Sequence, residues 1–185
     1  MAEFIYHDTD SAPGDSLETM ESAQQAYGML PNLYRKMAES PALAKGYWEL
    51  GTIFASSSLS AVEQQVVLLA TSTQNGCTYC VGAHSAIADM MKIPAEVTDA
   101  LRDGKPVPDT KLEALRKFTQ QVVSQRGWVA EADTQSFLDA GFTRAQVLDV
   151  VLGVGLKTLS NYANHIMQTG LDDAFASRTW QSPAE

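Results

Sequence analysis

The chain has 185 residues, enough for one well-buried core, with 45% hydrophobic and 19% charged residues and a formal net charge of −9 at pH 7. That charge argues against nucleic acid or an anionic membrane as a partner, since both require a basic surface. The most apolar windows, 66–70 and 147–156, are too short to span a bilayer.

The opening "MAEFIYHDTDSAPGD" has no basic segment leading into an apolar one, so it does not read as a secretory signal, and a cytoplasmic location is expected. Residues 1–15 read as an N-terminal arm and 16–185 as a single helical domain. The apolar "EFIYH" in the arm is expected to pack on a neighbouring subunit. Helical patterning then runs nearly throughout. A first helix covers 17–28, Pro31 stands at the start of a second, and Pro41 opens a third that reaches Ser56. After the polar break "SSSLS", Ser60 with Glu63 three residues on forms a capping-box pattern that starts a helix over 61–74. Val62, Val66, Leu69 and Thr73 recur in it at helical spacing and are expected to form its buried face.

Asn75-Gly76 stops that helix, and Cys77 begins another that runs to Lys92. Short helices are expected over 95–103, 110–126 and 130–140. A long one follows the N-cap Thr143 through "RAQVLDVVLGVGLKTLSNYANHIMQ". Its "GVGLKT" lacks the Gly-x-x-x-x-Gly-Lys spacing of a phosphate loop, so Gly153 and Gly155 read as sites of close helix packing. No strand, repeat or low-complexity tract stands out, and the fold class is all-α. Trp48, Trp128 and Trp180 read as core or interface anchors.

The chemistry concentrates in "NGCTYCVGAHS", which holds the only two cysteines, Cys77 and Cys80, with His84 four residues further on. On a helix, positions i, i+3 and i+7 fall within roughly 60° of arc, so these side chains share one face. Three readings compete there. Two thiols in a first helical turn can close a disulfide, and the free N–H groups and helix dipole favour a thiolate. His84 could then take or relay a proton. A zinc site needs four ligands, and only His7 and His165 remain to complete it. Buried thiols beside a satisfied histidine are the third possibility. Asn161, Tyr162 and His165 either form a polar helix end or subunit contact, or line the thiol pocket.

"LSAVEQQVVLLATSTQNGCTYCVGAH" resembles the signature helix pair of the alkylhydroperoxidase D-like and carboxymuconolactone decarboxylase superfamily, in which a glutamate helix leads into C-x-x-C-x-x-x-H. "GMLPNLYRKMAESPALAKGYWEL" and "GFTRAQVLDVVLGVGLKTLSNYANHI" are similar to that family's N-terminal and C-terminal helices, so the resemblance covers most of 28–173.

The resemblance implies a helical subunit with the C-x-x-C at the N-terminus of a core helix, assembled into trimers or hexamers. It also implies a thiol-dependent peroxidase without metal or cofactor. Cys80 matches the peroxidatic cysteine, Cys77 the resolving cysteine and His84 the proton-relay histidine. The oxidant is a small hydroperoxide, and the disulfide is reopened by a lipoamide-like or thioredoxin-like dithiol. The decarboxylase branch generally lacks the cysteine pair, so decarboxylase-type activity is disfavoured. A protein disulfide reductase or isomerase and a non-catalytic redox-sensing oligomer remain as alternatives. Two positions depart from the pattern. Gln65 occupies the place of the relay glutamate, twelve residues before Cys77, and Tyr79 replaces a histidine between the cysteines. Glu63 is the nearest carboxylate, either a base or only a cap.

Overall fold

The computed structural model describes residues 3–182. Among these residues all regular structure is helical. The helices are α1 (Leu17–Tyr27), α2 (Asn32–Met37), α3 (Pro41–Ala55), α4 (Ala61–Gln74), α5 (Thr78–Met90), α6 (Ala95–Arg102), α7 (Thr110–Ser124), α8 (Glu131–Asp139) and α9 (Arg144–Met167). Two 3₁₀ turns, Gly14–Ser16 and Asp173–Arg178, have no counterpart in the sequence reading.

Local chemistry sets the boundaries. Ser40 caps α3 by accepting from Leu43 N, and Asp109 caps α7 by accepting from Leu112 N. The capping boxes of α4 (Ser60 with Glu63) and α9 (Thr143 with Gln146) are both complete.

α4 is the central helix, packed by α5, α6, α7 and α9. Every residue from Gln65 to Ser72 is buried, whereas Val62 and Thr73 are only half-buried, so the expected one-sided stripe is replaced by burial all round. That follows from a nearly unbroken apolar run, "VVLLA", which leaves no polar face to turn outward. Val66, Leu69, Leu115, Phe118, Phe137 and Val150 form the main core, in which Phe118, Phe137 and Phe142 stack with centroids 4.3 and 4.2 Å apart. α9 crosses α3 and α4 at Gly153, where a Cβ would lie 2.7 Å from both Phe54 and Val67. Gly155 faces open space, so close packing holds for Gly153 alone.

The tryptophans and the arm take the following places. Trp180 is an anchor, donating Nε1–H to Arg102 O at 2.9 Å, and Trp48 packs edge-on against Tyr34. Trp128, however, is 88% exposed. The arm packs on its own chain: Gly170 N donates to Tyr6 Oη at 2.9 Å and His7 N to Arg35 O at 3.1 Å. No helix among the described residues is long and apolar enough to cross a membrane.

Candidate active site

The turn between α4 and α5 places the two sulfurs. Gly76, at φ +66°, closes α4 as Gly76 N donates to Thr73 O (3.0 Å) and Cys77 N to Ser72 O (2.9 Å), the paired bonds of a Schellman motif. Cys77 is then the N-cap of α5, and Cys80 lies at its third helical position. Both are free thiols, and both are 1% exposed. They sit in a second apolar cluster with Leu33, Met37, Tyr79, Ala83 and Phe175.

Cys80 Sγ accepts from Asn164 Nδ2 at 3.3 Å and has Ser160 Oγ at 3.8 Å, both from α9. Burial alone would push its pKa up. The Cys77 thiol, the Lys157 ammonium and the Ser160 and Asn164 groups outweigh burial and hold it well below the usual thiol range. Cys77 moves the other way, pushed up by its hydrogen bond to Cys80 and then by burial. The pair therefore separates into a thiolate at Cys80 and a thiol at Cys77, a division of roles set by environment.

His84 does not bond to either sulfur. Its Nε2 faces Lys157 Nζ at 2.9 Å, and its Nδ1 faces Gln65 Oε1 at 3.3 Å. Burial and then the charge of Lys157 hold the imidazole well below its usual pKa, so it is neutral. A protonated lysine can only donate, and the Gln65 carbonyl can only accept. Nε2 therefore carries the lone pair and Nδ1 the proton. Gln65 in turn points Nε2 at the Met91 sulfur, 3.7 Å away.

Tyr79 donates to Asp172 Oδ2 at 2.7 Å and accepts from Leu33 N at 3.3 Å, while Asp172 Oδ1 accepts from Asn32 N at 2.9 Å. This residue ties α5 to α2 and to the segment after α9.

A small cavity of ≈ 50 Å³ reaches Cys80 between Tyr34, Tyr47, Tyr79, His84 and Phe175. It continues into an adjoining cleft of ≈ 290 Å³ that shares Tyr34, Tyr47 and His84 and adds Trp48, Phe54 and Gln65. Tyr27, Tyr34 and Tyr47 form an aromatic wall with centroids 6.2 and 5.7 Å apart. No cluster of three or more His, Cys, Asp or Glu side chains among the described residues could hold a metal.

Residues 41–105 match the carboxymuconolactone decarboxylase family. No curated protein matches the chain. Among solved structures, the alkylhydroperoxidase AhpD core of an uncharacterized peroxidase-related protein from Ralstonia eutropha JMP134 superposes with a TM-score of 0.83 at 23% identity, over 94% of this chain and 93% of that one. A peroxidase-related protein from Silicibacter sp. TM1040 gives 0.80 at 18% identity, over 96% and 94%. The family match over 41–105 and these superpositions give the chain the alkylhydroperoxidase D-like fold. A cysteine-to-alanine variant of the debrominase Bmp8, in complex with 2,3,4-tribromopyrrole, shares the fold at a TM-score of 0.80 and 14% identity, over 96% of each chain.

Of the site residues read from the superfamily's motif, the structure gathers Cys77, Cys80, His84 and Gln65. Glu63 stands apart. Its carboxylate accepts from Ser60 N at 2.8 Å and pairs with Lys111 at 2.9 Å, with no bond to His84 or either sulfur. Burial pushes Glu63 up, but the Ser60 and Lys111 contacts prevail and its pKa is lowered. On α9, Asn161 is buried against Ser72 and Asn75, while Tyr162 and His165 face outward, so none of the three touches the thiols.

The α9 side chains that do reach the site, Lys157, Ser160 and Asn164, were not singled out from the sequence. Together with Gly153 they follow helical spacing along one buried face, and that spacing was the available signal.

Proposed function

We propose that this chain is a thiol-dependent oxidoreductase that reduces small hydroperoxides through a Cys77–Cys80 dithiol/disulfide cycle. The observation that carries the reading is the Cys77–Cys80 pair at the floor of a mostly aromatic cavity that Lys157 also lines, with surroundings that favour a thiolate at Cys80 and a thiol at Cys77. The thiolate attacks the terminal peroxide oxygen as the O–O bond breaks. Cys80 becomes a sulfenic acid, and the alkoxide leaves as the alcohol once it gains a proton. Cys77 then attacks the Cys80 sulfur, and the sulfenic oxygen departs as water with the Cys77 proton. An external dithiol returns two electrons and two protons.

The burial of both sulfurs favours a slender dithiol on a flexible arm, lipoamide-like rather than a folded thioredoxin-like domain. It also disfavours protein disulfides as substrates, which would have to enter a cavity of ≈ 50 Å³. The expected assembly is a homo-oligomer in the cytoplasm. An exposed apolar stripe on α9, with Leu148, Val151, Tyr162 and Ile166 flanking the open Gly155, supports it.

A second reading draws on the aromatic walls and the shared fold with a debrominase: reductive dehalogenation of an electron-rich ring. Attack of the thiolate on the halogen of a ring protonated at the same carbon would release the C–H arene. Cys77 would then resolve the resulting sulfenyl halide as halide leaves.

The deciding experiment is a steady-state assay with alkyl hydroperoxide or halogenated phenol as oxidant and dihydrolipoamide as donor. Cys80→Ser should abolish turnover, and Cys77→Ser should stop after one turn at a dimedone-reactive sulfenic acid. Wild-type turnover in Cys80→Ser would refute the assignment. Stoichiometric oxidation without turnover would make the chain a sensor instead.

A further inference from the structure

Lys157 lies on α9 with 1% of its surface exposed, and among the described residues no carboxylate pairs with it. An isolated ammonium in such a site is costly unless an anion lies close by. The titratable groups facing it are Cys80 and His84 of α5, Cys77 at the N-cap of that helix, and Tyr47 of α3. His84 is bound to it through a lone pair and supplies no charge. Tyr79, which also faces Cys80, spends its proton on Asp172. Burial holds the Tyr47 phenol up, in its neutral form, and the same is true of the Cys77 thiol for the reasons given above. Only the Cys80 sulfur is left as counter-ion.

We infer that Lys157 is the cation that keeps Cys80 a thiolate and the acid that protonates the departing oxygen, a catalytic residue acting in place of the glutamate–histidine relay. The acid role rests on the peroxide reading above, while the counter-ion role stands without it. The protons balance. The alkoxide takes one from Lys157, which becomes a neutral amine held against His84 Nε2. Disulfide formation then releases water using the Cys77 proton. The external dithiol brings two protons, one restoring the Cys77 thiol and one the Lys157 ammonium, as two electrons regenerate the Cys80 thiolate. Gln65 suits this arrangement. It fixes His84 through Nδ1 so that Nε2 stays turned toward Lys157, and it needs no proton of its own.

The test measures iodoacetamide alkylation of Cys80 across pH, in the reduced wild type and in Lys157→Met and Lys157→Arg. The wild type should alkylate at a rate that stays level down to mildly acidic pH. Lys157→Met, similar in length and apolar, should titrate at or above the ordinary thiol value of about 8.5 and alkylate at least about tenfold more slowly at pH 7. Lys157→Arg should keep the low titration yet lose peroxide turnover, because a guanidinium holds its proton. A Lys157→Met profile that superposes on the wild type would overturn the inference. So would a wild-type profile that inflects at the ordinary thiol value, which needs no variant to fold. If the wild type titrates low and Lys157→Met titrates high, but no peroxide is turned over, the counter-ion role stands while the acid role and the peroxide reading fall together.

Discussion

Replacing Gly153 by alanine tests whether the α9 crossing holds the site together. A Cβ there would lie 2.7 Å from Phe54 Cε2 and Val67 Cγ1 and 2.8 Å from Phe54 Cζ, and both neighbours are core residues, 2% and 0% exposed. Ordinary carbon contacts lie at about 3.5–4.0 Å, so α9 must back away by about 1 Å or the Phe54 ring must turn. Overpacking of this kind costs about 1–3 kcal/mol. Alanine in a helix interior returns about 0.5–1 kcal/mol. The expected net loss is about 1–2 kcal/mol, a fall in Tm of about 2–8 °C for a chain of this size. Lys157 follows Gly153 by one turn, and Asn164 lies two further turns on. A displacement of about 1 Å at the reacting sulfur can cost about 100-fold in rate. Thermal unfolding followed by circular dichroism, beside Cys80 alkylation and peroxide kinetics, measures both effects. A Gly153→Ala protein with unchanged Tm and unchanged kinetics would show that α9 is not seated on Phe54 and Val67 as described.

Glu63→Gln should lower stability by about 1 kcal/mol while leaving peroxide turnover intact, since the carboxylate caps α4 and pairs with a half-exposed Lys111. Because the folded pKa of Glu63 is lowered, its contribution is present above the unfolded value of about 4.3 and is lost as pH falls through the folded one. Wild type and variant should therefore converge in urea titrations at strongly acidic pH, and a large rate loss in the variant at neutral pH would make Glu63 a base after all. Gln65→Glu places a carboxylate against His84 Nδ1–H and should raise the His84 pKa, read by histidine NMR titration. An unmoved His84 resonance would refute the Gln65–His84 contact.

The parts of the site that depend on local chain chemistry were readable in the sequence. Asn75-Gly76 ends α4 because only glycine takes φ +66° freely, and that turn alone brings both cysteines to the start of α5. The Ser60–Glu63 capping box was equally plain, and so was the shared face of Cys77, Cys80 and His84. What depended on neighbours was not readable. A lysine in an amphipathic-looking helix reads as solvated, and Lys157 is buried one turn beyond Gly153, where α9 crosses α3 and α4. The sequence offers Asn161 as either a polar helix end or a pocket residue and says nothing of Asn164, although three residues on a helix turn a side chain by about 60° and change its neighbours. His84 is expected from the motif to serve the sulfur, whereas in the structure α9 brings a cation to its Nε2. Trp128 read as a core or interface anchor by residue type, and the loop between α7 and α8 keeps its ring out of this chain's core.

The placement of the two sulfurs at the N-cap and third position of α5 also has a thermodynamic side. A bond between Cys77 and Cys80 closes a ring of only four residues, all of them already fixed by α5. Chain-entropy reasoning assigns such a short ring about 2 kcal/mol of denatured-state restriction, against about 4.7 kcal/mol for a 100-residue loop. Oxidation therefore steadies the fold less than half as much as a long cross-link would, and reduction works correspondingly less against it. The midpoint potential of the couple is left to be set by the sulfurs' surroundings, above all by whatever favours the thiolate, so the same few α9 side chains govern both how fast the pair reacts and how readily it is recharged.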